Sequence, residues 1–368
     1  MSGGPNAPLR SAFPSSGQEP MALIEIDGSQ GEGGGQVLRT ALALSLATGK
    51  PFRMERIRAG RAKPGLMRQH LTCVRAAKSI GGARTRGDEL GGTEISFTPA
   101  RLTPGDYRFS VGTAGSTLLV LQAVLPALMI ADGPSRVELE GGTHNHAAPS
   151  WEFFAHALAP RLLSTGPSFV PALQRCGFYP AGGGKLAIEV RPGRATEPFA
   201  LLERGAVRRV HALVRIANLP PHIAVTERDV LIERLGLAAG DARIETCDAH
   251  GPGNAAMVFV ESDSGTEVFT GFGQVGLPAA RLAEDLANDV RAFLDADVPV
   301  GPHLADQLLV PLALAGGGRF RTGAVTLHAR TAADVVKRFL KTRITFTQEE
   351  GGRTLVEIAD RSSGSPEE

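Results

Sequence analysis

Residues 23–36 read LIEIDGSQGEGGGQ, and the change of period inside this stretch sets the reading of the whole chain. Residues 23–28 alternate as a half-buried strand. Gly31, Gly33, Gly34 and Gly35 then open a loop. From about Gln36 to Ala47, Leu38, Leu42 and Leu46 recur at a spacing of four, with Gly49 just past the end, which predicts a helix. Strand, glycine loop and helix together aim backbone N–H groups at a helix N-terminus, a setting for an anion. A tight turn with packing glycines is the other reading of the same residues. No Gly-Lys-Ser/Thr closes the loop, and Gln36 breaks a GxGxxG pattern. Glu32 inside such a loop would repel phosphate, and a divalent cation held between them would remove the conflict.

Working outward, residues 52–58 predict a strand and residues 64–79 a helix, with Pro64 in its first turn and Gly81-Gly82 at its end. Residues 93–98 and 106–111 predict two more strands. The order then recurs as helix 115–131, strand 135–140, helix 150–163 and strand 184–191. A third instance has helices 278–295 and 303–315, strand 320–327, helix 331–340 and hairpin 343–358. Glycine turns mark the copies at Gly141-Gly142, Gly182–Gly184 and Gly316–Gly318. The pattern predicts a repeated α/β unit, an α+β sandwich. Residues 196–272 differ: they are more charged, carry strands 207–216 and 256–262 around a helix at 224–235, and have their own Pro and Gly turns. They are expected to form a smaller domain inserted before the third unit. The large domain then spans 21–195 and 273–358, with disordered tails at 1–20 and 359–368.

Hydrophobic residues make up 42% of the 368 and charged residues 21%, enough for a real core. Lys+Arg at 39 against Asp+Glu at 38 gives a net charge of +1, which argues against a bulk nucleic-acid coat protein and leaves room for a local basic groove. Three scattered cysteines with no CxxC pair exclude a disulfide framework and a cysteine zinc site, and suit a reducing cytosol or nucleus, of which the cytoplasm is the expectation. The longest apolar run, 117–131, carries Gln122 and Pro126 and is too short for a membrane span. The glycine-, proline- and serine-rich N-terminus lacks the apolar stretch of a signal peptide.

Residues 53–78 hold eight basic side chains and one acidic one, Glu55. Their centre, Arg58-Ala-Gly-Arg61-Ala-Lys63-Pro-Gly, reads either as a solvated basic face or as a phosphate-binding loop. His144 and His146 alternate in a loop, a weak metal pattern. His70 lies in the 64–79 helix, and His328 ends a predicted strand just before the helix opened by Thr331.

Several of these strings together, IDGSQGEGGGQVLRTALALS, IRAGRAKPGLMRQHL, GTAGSTLLVLQAVLPAL, GFYPAGGGK and HLADQLLVPLALAGGG, resemble the RNA 3′-terminal phosphate cyclase family, in order and over residues 23–358. The resemblance implies three repeated units, each a four-stranded sheet backed by two helices, with a small α/β domain inserted. It implies ATP-dependent conversion of an RNA 3′-terminal phosphate to a 2′,3′-cyclic phosphodiester, through a covalent histidine–AMP and an RNA(3′)pp(5′)A end. Adenylation supplies the leaving group that a phosphate dianion lacks. The nucleophile then falls on His328, and a metal ligand, for Mg²⁺ or Mn²⁺, on Glu32. Pro149, His303, Asp306 and Gln307 match positions around ATP. Arg39, Arg58, Arg61, Lys63 and Gln69 match positions near phosphates, with His70 next to Gln69. His303 replaces a tyrosine common among relatives, and Ala332 replaces an asparagine after Thr331. Two other functions share the fold: a non-catalytic branch that binds RNA or ribosome-assembly partners, and the enolpyruvyl transferases. His328, Glu32 and the complete basic loop speak against both.

Overall fold

The structure is a computed structural model and describes residues 22–360. The expected tail at 1–20, and residues 361–368 of the tail expected at 359–368, lie outside the described residues. The first unit runs β1 (Ile24–Asp27), α1 (Gly35–Thr48), β2 (Phe52–Glu55), α2 (Arg68–Gly81), β3 (Arg84–Arg86) and β4 (Ile95–Thr98). The second runs β5 (Asp106–Ser110), α3 (Thr117–Gln122), α4 (Leu125–Leu128), β6 (Ser135–Gly141), a π-helical turn (Phe153–Leu158), α5 (Ala159–Leu163), β7 (Ser168–Arg175) and β8 (Gly184–Arg191). A short strand, β9 (Phe199–Leu201), opens the third unit. The insert follows: β10 (Val207–Ala217), α6 (His222–Leu235), β11 (Ala242–Thr246), β12 (Gly253–Ser262), β13 (Gly265–Phe272) and α7 (Ala279–Ala296). The third unit resumes with α8 (Pro302–Leu314), β14 (Gly317–Thr322), α9 (Leu327–Phe339), β15 (Thr342–Gln348) and β16 (Thr354–Asp360).

The repeat is visible in the pairing. The sheets run β1-β2-β4-β3, β5-β6-β8-β7 and β9-β14-β16-β15. In each, the first pair is parallel and the other two are antiparallel. Helices of the three units pack on one another inside the three sheets, so each sheet buries one face. Strand β6 shows it, with every second residue buried. One core joins the three units, while a second lies between the insert's sheet and α6 and α7.

Where the elements depart from the sequence reading, a physical reason is at hand. Proline breaks the helix expected at 115–131, because Pro126 has no N–H to bond back to Gln122. The helix expected at 150–163 is present without a break over 151–163, and a π-helical stretch, Phe153–Leu158, accommodates the missing N–H of Pro160. Strand β7 was not expected; it contains Pro171 and is an edge strand, where a missing N–H is tolerated. Phe199–Leu201 pairs with β14 of the large domain, so the insert interrupts the third unit after its first strand. Helix α7 packs its buried face, Leu282, Leu286 and Val290, on the insert's core. Arg204 clasps the two ends of the insert: its guanidinium donates to the Leu294 carbonyl at 2.9 Å and pairs with Asp297 at 2.8 Å. Ala359 and Asp360 belong to β16. Among the described residues no helix is long and apolar enough to cross a membrane.

Candidate active site

The glycine loop between β1 and α1 is docked on the first turn of α9. The Thr331 hydroxyl donates to the Leu327 carbonyl at 2.7 Å and accepts from the Glu32 N–H at 3.1 Å. Gly31 sits at φ +62°, and a Cβ there would overlap that hydroxyl. Gly35 allows α1 to start against His70 and Arg39, both of which a Cβ would strike. The glycines therefore bring two distant segments into contact.

His328 lies inside this first turn, one residue after α9 begins, and not at a strand end as the sequence suggested. Strand β14 stops at Thr322, and the Thr326 hydroxyl caps the helix by accepting from the Ala329 N–H at 3.0 Å. Nδ1 of His328 is 2.6 Å from Gln36 Oε1, and Gln36 Nε2 donates to the backbone carbonyl of His328 at 3.2 Å. That carbonyl can only accept, which settles the orientation of the Gln36 amide. The amide oxygen facing the ring then requires the proton on Nδ1. Nε2 keeps its lone pair, on a side chain 46% exposed. Glu32 Oε2 stands 3.7 Å from Nδ1, and the other carboxylate oxygen pairs with Arg61.

Behind His328 a pocket is lined by Gln36, Arg39, Gln122, Pro149, Asp306 and Gln307, over apolar side chains that include Phe154. A polar chain crosses it. Arg39 Nε donates to Gln122 Oε1 at 3.1 Å, the Gln122 amide donates to Gln307 Oε1, and Gln307 Nε2 donates to Asp306 Oδ1 at 2.6 Å. Burial pushes the Asp306 carboxyl up to about 7, against the pull of Gln307 and Arg39. Ala332 puts a buried methyl on the pocket wall.

The structure thus gathers Arg39, Pro149, Asp306 and Gln307 around one pocket, with Glu32, Arg61 and His328 joined to it through Gln36. Exposed His303, in the first turn of α8, has His328 and Asp289 as its nearest charges. The remaining candidates stand apart. Arg58 is spent on its own loop, donating to the carbonyls of Lys63 at 2.6 Å and Gly65 at 2.9 Å. Lys63 is exposed. Gln69 turns to the next loop and accepts from the Ser116 N–H at 2.7 Å. His70 is held neutral, pushed down to about 3 by burial and by the Arg39 and Arg58 charges. His144 and His146 form no metal pair: both ring nitrogens of buried His144 are engaged, by Thr143 and Glu152 at 2.8 Å each.

Two site residues escaped the sequence reading. In the sequence Gln36 stands out only as a break in a glycine motif and Gln122 only as an interruption of an apolar run. A lone amide in an otherwise buried helix was the available signal. For a divalent cation, Glu32 is the one carboxylate at the rim, and the described residues hold no cluster of three or more possible ligands. This donor set fits a hard cation of the Mg²⁺ or Mn²⁺ kind, which keeps water and takes oxygens from substrate phosphates.

A family model described as RNA 3′-terminal phosphate cyclase matches residues 30–346. A protein of that name from Koribacter versatilis is 48% identical over 351 residues, 95% of this chain and 99% of its own. Another from Ralstonia nicotianae is 48% identical over 333 residues, covering 90% and 95%. A third from Salmonella agona is 46% identical over 345 residues, covering 93% and 99%.

Proposed function

Because the chain belongs to the RNA 3′-terminal phosphate cyclase family, enzymes of the ligase class, we propose that it uses ATP to close an RNA 3′-phosphate into a 2′,3′-cyclic phosphodiester, with His328 as the nucleophile. The observation that carries this reading is the Gln36 clamp, which leaves Nε2 of an exposed imidazole with a lone pair next to a pocket that Gln36 itself lines. Nε2 attacks the α-phosphorus; the N–P bond forms as the bond to pyrophosphate breaks. An oxygen of the RNA 3′-phosphate next attacks the same phosphorus, breaking the N–P bond and restoring the imidazole. The neighbouring 2′-hydroxyl then attacks the RNA phosphorus, loses its proton, and expels AMP.

The chain's own contributions are positional and electrostatic. Gln36 aims the ring and holds the Nδ1 proton. Arg39, with Gln122, and Arg61 offer donors to phosphate oxygens. Asp306 and Gln307 supply polar contacts in the pocket, with Pro149 and His303 offered to the adenine. A divalent cation held by Glu32 would neutralise charge developing on the phosphates. A cytoplasmic setting is supported by the free thiols Cys73, Cys176 and Cys247.

The test is incubation with ATP labelled at the α-phosphate. Label should appear on the denatured protein, acid-labile and alkali-stable, in the His328 peptide. His328→Ala should abolish it, and Glu32→Ala should weaken its metal dependence. Label retained by folded His328→Ala refutes the nucleophile. No label on the folded wild type favours a non-catalytic, RNA-binding role.

A further inference from the structure

The insert and the second unit leave between them a cleft of about 830 Å³ that shares no lining residue with the nucleotide pocket. Its size is that of a small-ligand site. One wall carries Tyr179, from the loop between β7 and β8, which is 78% exposed. The lining also carries Phe272, at the end of β13, and Val275 just beyond. The lining is polar at Glu227 of α6, Asn254 of β12 and Asn145, all buried.

Two atoms of this polar lining lack protein partners. Asn254 donates its amide to Glu227 Oε1, and Glu227 Oε2 is left without a hydrogen bond. Asn145 spends its amide on the Ala114 carbonyl, and its Oδ1 is left likewise. Buried polar atoms in native proteins are almost always paired. Burial pushes the Glu227 carboxyl up to about 7, so near neutrality it can offer an O–H as well as an acceptor. Aromatic and apolar walls with donor and acceptor atoms between them suit a nucleobase, which stacks on its faces and hydrogen-bonds along its edge.

One loop joins the cleft to the nucleotide pocket along the chain. Residues 143–149 run from Asn145 in the cleft to Pro149 in the nucleotide pocket. The loop at 112–116 bridges Asn145 to Gln69, in the helix that follows the basic loop. We propose that the cleft seats an unpaired base of the RNA strand upstream of its 3′ end, against Tyr179, Phe272 and Val275, with its edge on Glu227 and Asn145. This rests on the RNA-end reading above. The base of a free nucleotide has the same chemistry, and the test separates the two.

The full chain is compared with its Tyr179→Ala and Glu227→Gln variants in three assays: self-labelling by ATP without RNA, KM for a 3′-phosphorylated dinucleotide, and KM for a 3′-phosphorylated decamer. Wild type should prefer the decamer. Tyr179→Ala should raise the decamer KM roughly ten-fold, the loss of one base–aromatic stack, and leave the dinucleotide KM and self-labelling unchanged. Glu227→Gln should alter the preference among decamers that differ at internal bases. Equal wild-type KM for both lengths, or a decamer KM unmoved by Tyr179→Ala, overturns the proposal. Tyrosine fluorescence quenched by free UMP, with no effect of RNA length, assigns the cleft to a free nucleotide and overturns it too. Wild type that fails to self-label contradicts the nucleotidyl-transfer reading, and anisotropy of a labelled decamer on wild type and Tyr179→Ala still decides the cleft.

Discussion

Gln36→Met isolates the clamp on His328. Methionine matches glutamine in length and volume, so the pocket stays filled while both hydrogen bonds disappear. The bonds lost are the 2.6 Å contact to Nδ1 and the 3.2 Å contact to the His328 carbonyl. At about 0.5–1.5 kcal/mol net for each, the ring loses about 1–3 kcal/mol of orientation and tautomer control. That corresponds to roughly 5- to 150-fold in the rate of AMP attachment. Label transfer from α-labelled ATP in a single turnover reads this step directly, with the melting temperature measured alongside. Gln36→Glu supplies the signed control. A carboxylate still accepts from Nδ1–H, but it favours the imidazolium and faces a carbonyl. Its rate should therefore fall further below the wild-type rate at low pH than at high pH. Gln36→Met labelling within two-fold of wild type, or Gln36→Glu showing the wild-type pH profile, would refute the clamp.

Gly31→Ala should cost about 2 kcal/mol, from a left-handed φ and from displacing the Thr331 hydroxyl that holds Glu32; urea denaturation should show it, with slower labelling. Glu267, buried beneath the start of α8, accepts from the Gly301 N–H at 2.9 Å, and burial pushes its carboxyl up to about 7. The folded state therefore keeps a proton that the unfolded chain releases at lower pH, and this group's contribution to stability falls as pH rises from about 4.5 to 7. Glu267→Gln should flatten that part of the stability profile, by about 3 kcal/mol at most; unfolding curves of unchanged slope against pH would contradict it. Phe339→Ala, which empties a fully buried ring against Phe52 at the end of α9, should cost about 3–5 kcal/mol and loosen the helix that carries His328, as hydrogen exchange along α9 would report.

The most local features were the most legible. Residues 23–49 read correctly as strand, loop and helix because period, glycines and the helix stop all agree within one short segment. What went unread depends on distance. A triplet such as Phe199–Leu201 has no pattern of its own and becomes a strand only because β14 lies beside it. Helix α7 looked like part of the third unit because periodicity shows which face is buried and not against what. His328 was placed at a strand end because Thr326, its cap, sits where an alternating pattern continues. Gln36 acquires its role from a residue almost three hundred positions away, a juxtaposition that spacing along the chain does not encode.

The place of the insert governs the order in which the molecule can assemble. Phe199 leaves the ribosome more than a hundred residues before its sheet partner Gly318. Closing so long a loop is entropically unfavourable, but an insert that has already folded, with its ends clasped by Arg204, shortens the free chain to a few tens of residues and recovers about 1 kcal/mol. The first two units and the insert can be complete while β9 still waits unpaired. The third sheet closes last, and α9 is set in place with it. The glycine loop and the Pro149 wall precede His328 along the chain, and the loop therefore gains its Thr331 contact, and the pocket its Asp306 and Gln307 side, only when the third unit closes.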